Sequence, residues 1–420
     1  MVSIYFSEVV LAVVYFASLY FTVFWLLTLL EKTETKKKYW KILPTVSVLI
    51  PAYNEEDSIE ETVNSVVNLD YPKDKLKIIV VNDGSKDKTK EIAERIVKNN
   101  TNVFLINKLN GGKASALNLA LKEIDSEFTA ILDADSFATP TVLKNLLPYF
   151  TEKEIAVVLP TMKIRNPRNI LQRMQRIEYA VYMFNRSMNE KLNSIHVTPG
   201  PFPLYRTSVL KELNGFDENC ITEDLELAIR IQKKNYKILQ TYDAVVYTLP
   251  PNTIKSLYYQ RKRWCKGGLL VCLKHKELMF NKAYGDFGIM KMPSILIFPF
   301  LAIIMFLSFL NDTRSWITSL IEKLYLINFD ITTLIKNYEF HFNILDIRFI
   351  NFFIVLILTI MAILIILYSH RLIKERLGLY GNPVSSLAYY MFIHPLFLTF
   401  VFITGTYSAI FDKDYKWYTK

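Results

Sequence analysis

From Val9 to Leu30 the chain runs without a single charged residue. A helix of about 20 residues crosses the hydrocarbon of a bilayer, so this run is long enough to span one. A cleaved secretory signal is the competing reading. The run is too long for a signal core, no basic segment precedes it, and no small-residue cleavage site follows, so a retained helix is favoured over residues 1–31. The whole sequence leans the same way: 51% of residues are apolar and mean hydropathy is positive, more than an ordinary soluble enzyme shows.

The charge around the apolar runs suggests an orientation. Lys36, Lys37, Lys38 and Lys41 follow the first run closely and mark that side as cytoplasmic, with the N-terminus outside. Three further spans are expected within 292–410, at Met292–Leu310, Ile350–Leu367 and Val384–Ile410. His370, Arg371, Lys374 and Arg376 between the last two are again cytoplasmic in character, and Thr313–Arg348 falls outside, partly helical at the surface. The expected protein is embedded in the plasma membrane by about four helices, with its soluble part in the cytoplasm.

That soluble part is 45–250. Val46–Ala52, Leu76–Asp83, Val103–Lys108 and Phe128–Asp135 are short apolar, β-branched runs that read as buried strands. Asp57–Asn68, Lys86–Lys98 and Lys113–Ile124 between them read as helices. Alternation of this size predicts an α/β domain with a mostly parallel sheet, whose ligands gather at the carboxyl ends of the strands. Two stretches are basic and amphipathic. Ile170–Met188, within 165–190, carries Arg173, Arg176 and Arg186 opposite an apolar stripe, and 251–282 sets Tyr258, Tyr259 and Trp264 among cations. Both suit the membrane interface, and a helix packed on the soluble core is the alternative for the first.

A net charge of +10 could serve nucleic acid, anionic lipid or an anionic substrate. No basic arm or nucleic-acid signature is present, so nucleic acid is excluded as a partner. Three cysteines in no metal-binding spacing argue against both a disulfide framework and a zinc site, and the five histidines are scattered and read as structural.

The polar residues at the strand ends carry the chemistry. Pro51, Tyr53 and Glu55 form a strand–turn–helix junction. Asp83 ends the second strand and can accept from a nucleobase or ribose, or cap the next helix, a task for which Asp87 is better placed. Gly111, Gly112 and Lys113 open a small-residue helix whose N-terminus favours a phosphate or a uracil, although the spacing is not that of a P-loop. Asp133 and Asp135 are hard oxygen ligands for Mg²⁺ or Mn²⁺ bridging a diphosphate, or else solvated turn carboxylates. Thr222, Glu223 and Asp224 begin another helix. Asp224 is the candidate general base, set against ordinary acidic enrichment of a helix start. Gln260, Arg263 and Trp264 offer a bidentate phosphate grip and a flat stacking face, or simply an interfacial basic–aromatic helix.

Taken in order, PAYNE, NDGS, GGKASALN, DAD, TED and Q-x-x-R-W resemble the motifs of family 2 glycosyltransferases, above all the membrane synthases of hyaluronan, chitin, cellulose and poly-N-acetylglucosamine. The likeness covers Thr45 to about Gly268. VTPGPFPLYR is similar to that family's acceptor-side loop, with Gly200, Pro201 and Arg206 in place. The resemblance implies a GT-A fold and an inverting transfer from a UDP-sugar, UDP-N-acetylglucosamine first and UDP-glucose second. It implies that Asp83 holds uridine, Asp133 contacts the diphosphate and Asp135 binds Mn²⁺ or Mg²⁺. Asp224 becomes the base, Gln260 and Arg263 grip pyrophosphate, and Trp264 floors the acceptor site.

The leading expectation is therefore processive synthesis of a β-linked polysaccharide with export through the membrane helices. Four helices are few for such a channel, which a homo-oligomer or accessory subunit would complete. Transfer of one sugar to a polyprenyl phosphate or glycolipid is the main alternative. An inactive scaffold or transporter is disfavoured by the intact Asp133, Asp135 and Asp224, and a nucleotidyltransferase on the same kind of fold is a minor alternative.

Overall fold

The computed structural model describes residues 2–30, 37–336 and 349–412. Lys36 and residues 337–348 of the segment expected outside the membrane lie beyond them. The chain divides into two compact units, one of Met1–Glu31 with Ile297–Ile365 and one of Lys32–Leu296 with Ile366–Lys420.

The second unit is organised by one sheet. Its strands are β1 (Val46–Ala52), β2 (Leu76–Asp83), β3 (Val103–Lys108), β4 (Phe128–Ile131), β5 (Ser136–Ala138), β6 (Ile155–Ile164), β7 (Leu204–Arg206) and β8 (Lys237–Thr248), in the order β3-β2-β1-β4-β7-β6-β8-β5. The helices in chain order are α1 (Val2–Leu30), α2 (Ile59–Val67), α3 (Thr89–Asn99), α4 (Lys113–Lys122), α5 (Val142–Leu146), α6 (Ile170–Lys191), α7 (Thr207–Glu212), α8 (Glu223–Lys233) and α9 (Ile254–Lys274), followed by α10 (Met292–Leu326), α11 (Ile331–Lys336), α12 (Phe349–Leu372), α13 (Pro383–Ala388) and α14 (His394–Phe411).

Every residue of β1 is buried, as a strand covered on both faces must be. Alternate side chains feed two cores. Val46, Val48 and Ile50 pack with Ile59 and Val63 of α2 and with Phe128 and Phe150. Leu49 packs on the other face with Ile79, with Leu117 and Ala120 of α4, and with Leu227 and Ile231 of α8. Truncating Leu49, which is fully buried, would cost about 2–5 kcal/mol.

The sheet is less parallel than the sequence suggests. β1, β2, β3 and β4 run parallel, but β7 is antiparallel to both β4 and β6. β4 itself ends at Ile131, short of the expected Asp135. The chain leaves β6, passes through α6 and returns through the Pro199–Pro203 loop, which feeds β7 into the sheet against the direction of its neighbours β4 and β6.

The helix expected at the membrane interface forms as α6, with Asn169 capping it by accepting from the Gln172 N–H at 2.8 Å. Its basic face is not a solvated one. Arg176 and Arg186 are buried inside the protein. Arg186 donates to Gln240 Oε1 at 3.0 Å, and Arg176 donates to Glu375 Oε1 at 2.6 Å and to the carbonyls of Arg376 and Leu377. Each charge is matched by specific partners, which is how arginine becomes tolerable at depth.

Four helices among the described residues are long and apolar enough to cross a membrane: Glu8–Leu29, Phe287–Leu326, Phe352–Leu372 and Pro383–Phe411. α1 leaves Phe16 and Leu27 more than half exposed, and in the same unit Phe21 meets Phe298 at 5.1 Å between ring centres. A helix apolar on all sides is at home in lipid, and the protein is an integral membrane protein. α10 continues through Asn311, Asp312 and Arg314 to Leu326, well past the expected end at Leu310.

Candidate active site

Four segments meet beyond the carboxyl end of β4. The turn after that strand is closed by the Ser136 N–H donating to the Asp133 carbonyl at 3.0 Å, and it carries Asp133 and Asp135 two residues apart. Asp135 Oδ1 accepts from Ser136 Oγ at 3.2 Å. Lys113, the first residue of α4, reaches Asp133 Oδ1 at 2.5 Å and Glu223 Oε1 at 3.2 Å. Burial works against the lysine charge, but Asp133, Glu223 and Asp224 overcome it and hold the ammonium well above its usual range. Lys113 thus neutralises carboxylates from two separate segments, where the sequence pointed to a phosphate or uracil contact.

The third segment is the loop before β7. Gly200 backs directly onto the Asp133 carboxylate, Pro201 is buried, and Thr198 donates from both its N–H and its hydroxyl to the Asp224 carbonyl, the latter at 3.0 Å. This loop bridges the two acidic motifs. Arg206 does not belong to the site. It lies at the other end of β7, in register with Phe128, and donates to the carbonyls of Ile155 and Glu152.

The fourth segment starts α8. Thr222 holds the N-cap position without using its hydroxyl as a cap, and its side chain instead presses on Gly267 of α9. Glu223 is buried, whereas Asp224 keeps an accessible edge. Burial and then the neighbouring Glu223 charge push the Asp224 carboxyl up to about 6, against the opposing pull of Lys113 and Arg263. A carboxylate poised near neutrality can accept a proton and release it again.

Asp83 is engaged from within the chain. It is 3% exposed, and its oxygens accept from Lys108 Nζ at 2.6 Å, Gly111 N–H at 3.0 Å and Gly112 N–H at 2.8 Å. It therefore fixes the glycine loop that precedes Lys113, and Gly112 adopts φ 88° there. Asp87 does serve the α3 terminus, accepting from the Thr89 N–H at 3.0 Å. Pro51 is buried at the end of β1, Tyr53 is half-buried beside it, and Glu55 accepts from Ser58 Oγ at 3.0 Å. The PAYNE and NDGS turns are stitched together: Asn54 N–H donates to Ser85 Oγ at 3.1 Å, and Lys86 N–H to Asn54 Oδ1 at 2.8 Å.

Helix α9 brings Q-x-x-R-W to the start of α8. Arg263 donates to the Ile221 carbonyl at 3.2 Å, and Gly267 admits Thr222 so closely that a β-carbon would stand 2.3 Å from its methyl. Gln260 and Trp264 both attach to Arg261, a buried residue that the motif reading passed over. Arg261 donates to Gln260 Oε1 at 2.5 Å, and its guanidinium lies 4.1 Å from the Trp264 ring centre. Its ion-pair partner Glu178, on α6, was also missed, as was Lys108. Only Lys108 left a trace in the sequence, since it ends β3 in register with Asp83.

Asp133 and Asp135 fit a divalent cation by their donor chemistry. No group of three or more metal-binding side chains gathers among the described residues, but Mg²⁺-type ions are commonly held by one or two carboxylates together with substrate phosphates and water.

Comparison with known proteins agrees with this architecture. Residues 47–214 match the family described as Glycosyl transferase family 2. A poly-β-1,6-N-acetyl-D-glucosamine synthase of Staphylococcus epidermidis is 34% identical over 236 residues, covering 54% of this chain and 56% of the relative. The corresponding synthase of Staphylococcus aureus is 32% identical over 239 residues, 55% of this chain and 56% of its own length. The match thus spans little more than half of these curated relatives. A mannosyltransferase from Pyrobaculum calidifontis, solved with GDP-Man and Mn²⁺, shares the fold over 97% of this chain and 99% of its own, with a TM-score of 0.65 at 18% identity. With the ordered motifs and a Rossmann-like GT-A sheet in place, residues 47–214 have the character of a family 2 glycosyltransferase domain, in a chain whose described residues include four helices long and apolar enough to cross a membrane.

Proposed function

We propose that the protein transfers a sugar, with inversion, from a UDP-sugar to a hydroxyl of a growing β-linked polysaccharide. UDP-N-acetylglucosamine is the first-choice donor and UDP-glucose the second. The observation that carries this reading is the convergence of Lys113, Asp133, Glu223, Asp224 and Arg263, which places a near-neutral carboxylate beside cations suited to a diphosphate. The names of the Staphylococcus relatives support the choice of N-acetylglucosamine and of a polymeric product.

In this reaction the acceptor hydroxyl oxygen attacks the anomeric carbon while its proton passes to Asp224. The bond from that carbon to the β-phosphate oxygen breaks, and UDP leaves with the electron pair. Lys113 and Arg263 offset the charge that develops on the diphosphate. A Mn²⁺ or Mg²⁺ ion held by Asp135 and Asp133 would supply Lewis-acid neutralisation of the same group. Pro51, Tyr53 and Glu55 border the nucleotide side, and Asp83 serves it by holding the glycine loop. Gln260 completes the pyrophosphate grip, while Trp264 with Gly200 and Pro201 forms the acceptor side.

The exposed Lys37, Lys38 and Lys41 after the first span support a cytoplasmic catalytic domain, with product leaving across the plasma membrane. A second reading, one sugar placed on a lipid acceptor, is favoured by the small number of spans, four among the described residues. Product size separates the two. Purified protein is supplied with Mn²⁺ and radiolabelled UDP-sugars, alongside Asp224→Asn. A ladder or high-mass product supports synthesis of a polymer, a single labelled sugar in the lipid phase supports the second reading, and unaltered turnover in the variant refutes the assignment of the base.

A further inference from the structure

Glu178 sits midway along α6 and is 2% exposed. A carboxylate at that depth is costly unless it is fully matched. Here the match is unusually complete. Arg261 grips it with a fork, Nε to Oε1 at 3.2 Å and Nη2 to Oε2 at 2.6 Å. The Tyr182 hydroxyl donates to Oε1 at 3.1 Å, and His394 Nε2 stands 3.3 Å from the same oxygen. Burial pushes the Glu178 carboxyl up, but Arg261 and His394 outweigh it and keep the group down at about 2.

The pair is not an isolated structural bridge, because the two remaining faces of Arg261 are occupied by site residues. One nitrogen holds the Gln260 amide oxygen, and the guanidinium plane lies against Trp264. Arg261 itself is 3% exposed and is shielded from substrate. The opposite side of Glu178 faces His394, the first residue of α14, whose ring stacks on Tyr390 with centres 5.1 Å apart. Gly405, further along α14, meets Cys265 of α9 so closely that a β-carbon would lie 2.8 Å from Sγ. Three helices are therefore held in register around one buried carboxylate.

We propose that Glu178 is a positioning residue: through the Arg261 fork it sets the Trp264 ring and the Gln260 amide, and through His394 it ties that platform to the last apolar helix. The proposal rests on the reading of Trp264 as the acceptor floor. Without the fork, Trp264 keeps its place in the sequence but loses the cation that orients its face. An acceptor held loosely gives water its chance. The water oxygen then attacks the anomeric carbon, its proton passes to Asp224, and UDP is released with free sugar and no glycosidic bond.

The test uses the full-length protein in detergent, Mn²⁺ and radiolabelled UDP-N-acetylglucosamine with UDP-glucose in parallel, and reads both UDP released and sugar transferred. Wild type, Asp224→Asn, Glu178→Gln and the double variant Glu178→Gln/Arg261→Met are compared. The single neutralisation strands the arginine charge and lowers the Tm. The double variant removes both charges and is expected to keep a Tm near that of wild type. Its donor KM should rise as the Gln260 amide is released, its acceptor KM should rise about tenfold as Trp264 loses its cation, and the ratio of UDP released to sugar transferred should climb several-fold. A double variant with wild-type acceptor KM and ratio overturns the proposal, and so does one that fails to fold, since the pair is then structural only. Absence of transfer by wild type, or transfer unaffected by Asp224→Asn, overturns the functional reading itself and the proposal with it.

Discussion

The backbone of Gly200 lies flat against the Asp133 carboxylate: a β-carbon at residue 200 would stand 2.1 Å from Oδ2 and 2.3 Å from Oδ1. No side chain fits there unless Asp133 moves, and Asp133 is held on its other side by Lys113. Gly200→Ala should therefore misplace the diphosphate contact and lower kcat/KM about 10²-fold, the usual consequence of an ångström-scale displacement. Steady-state kinetics with the Tm measured in parallel would check this, because a wild-type rate would mean that Asp133 is dispensable.

Asp224 sets the pH profile. Its carboxyl is raised to about 6 from the ordinary value near 3.8, and the base must be deprotonated to act. Activity should be full above about pH 7 and should fall as pH drops through 6, to about a tenth by pH 5. Asp224→Asn should remove that limb and cost about 10²–10⁴ in kcat while donor binding persists. Rate against pH for both proteins, with binding followed by calorimetry, provides the measurement.

Lys113 offsets charge from two segments at once. Lys113→Met leaves Asp133 and Glu223 without their shared cation, and losing this partly buried pair should cost less than the roughly 3–5 kcal/mol of a fully buried one. Thermal unfolding should show the loss. Saturating Mn²⁺ should restore part of it, because a divalent ion at Asp133 and Asp135 supplies the missing positive charge.

Metal removal gives the complementary experiment. Chelation should abolish transfer, and readdition of Mn²⁺ or Mg²⁺ should restore it. Asp135→Asn should shift the half-saturating metal concentration upward by about 10–100-fold. A metal titration of activity decides the point.

Much of this architecture could be read from the chain. β1 and β2 fall on the expected residues because strands buried on both faces announce themselves as uninterrupted apolar, β-branched runs, and the edge strand β3 falls on its expected residues as well. Asp133, Asp135 and Asp224 stand out in the sequence because acidic residues next to a strand end or a helix start are chemically conspicuous. What stayed hidden depended on contacts distant in sequence. Glu178 and Arg261 are 83 residues apart, and each looks locally like an ordinary charge on a helix surface. The partners of Asp83 were hidden for a related reason. The donors that engage it come from a loop nearly thirty residues on, at Gly111 and Gly112, and only the β2–β3 register brings Lys108 beside it. β7 escaped notice because three residues are too few to show a period.

The reciprocal stitching of the PAYNE and NDGS turns has a consequence for inheritance. Asn54 receives from Lys86 and gives to Ser85, Glu56 receives from Lys88, and Asp87 receives from Glu56 and Thr89. A replacement in either turn strands a partner in the other, so drift at one position is penalised until its opposite number changes too. Descendants of this sequence should therefore vary the two turns in concert, as though a single heritable character had been written at two places in the chain.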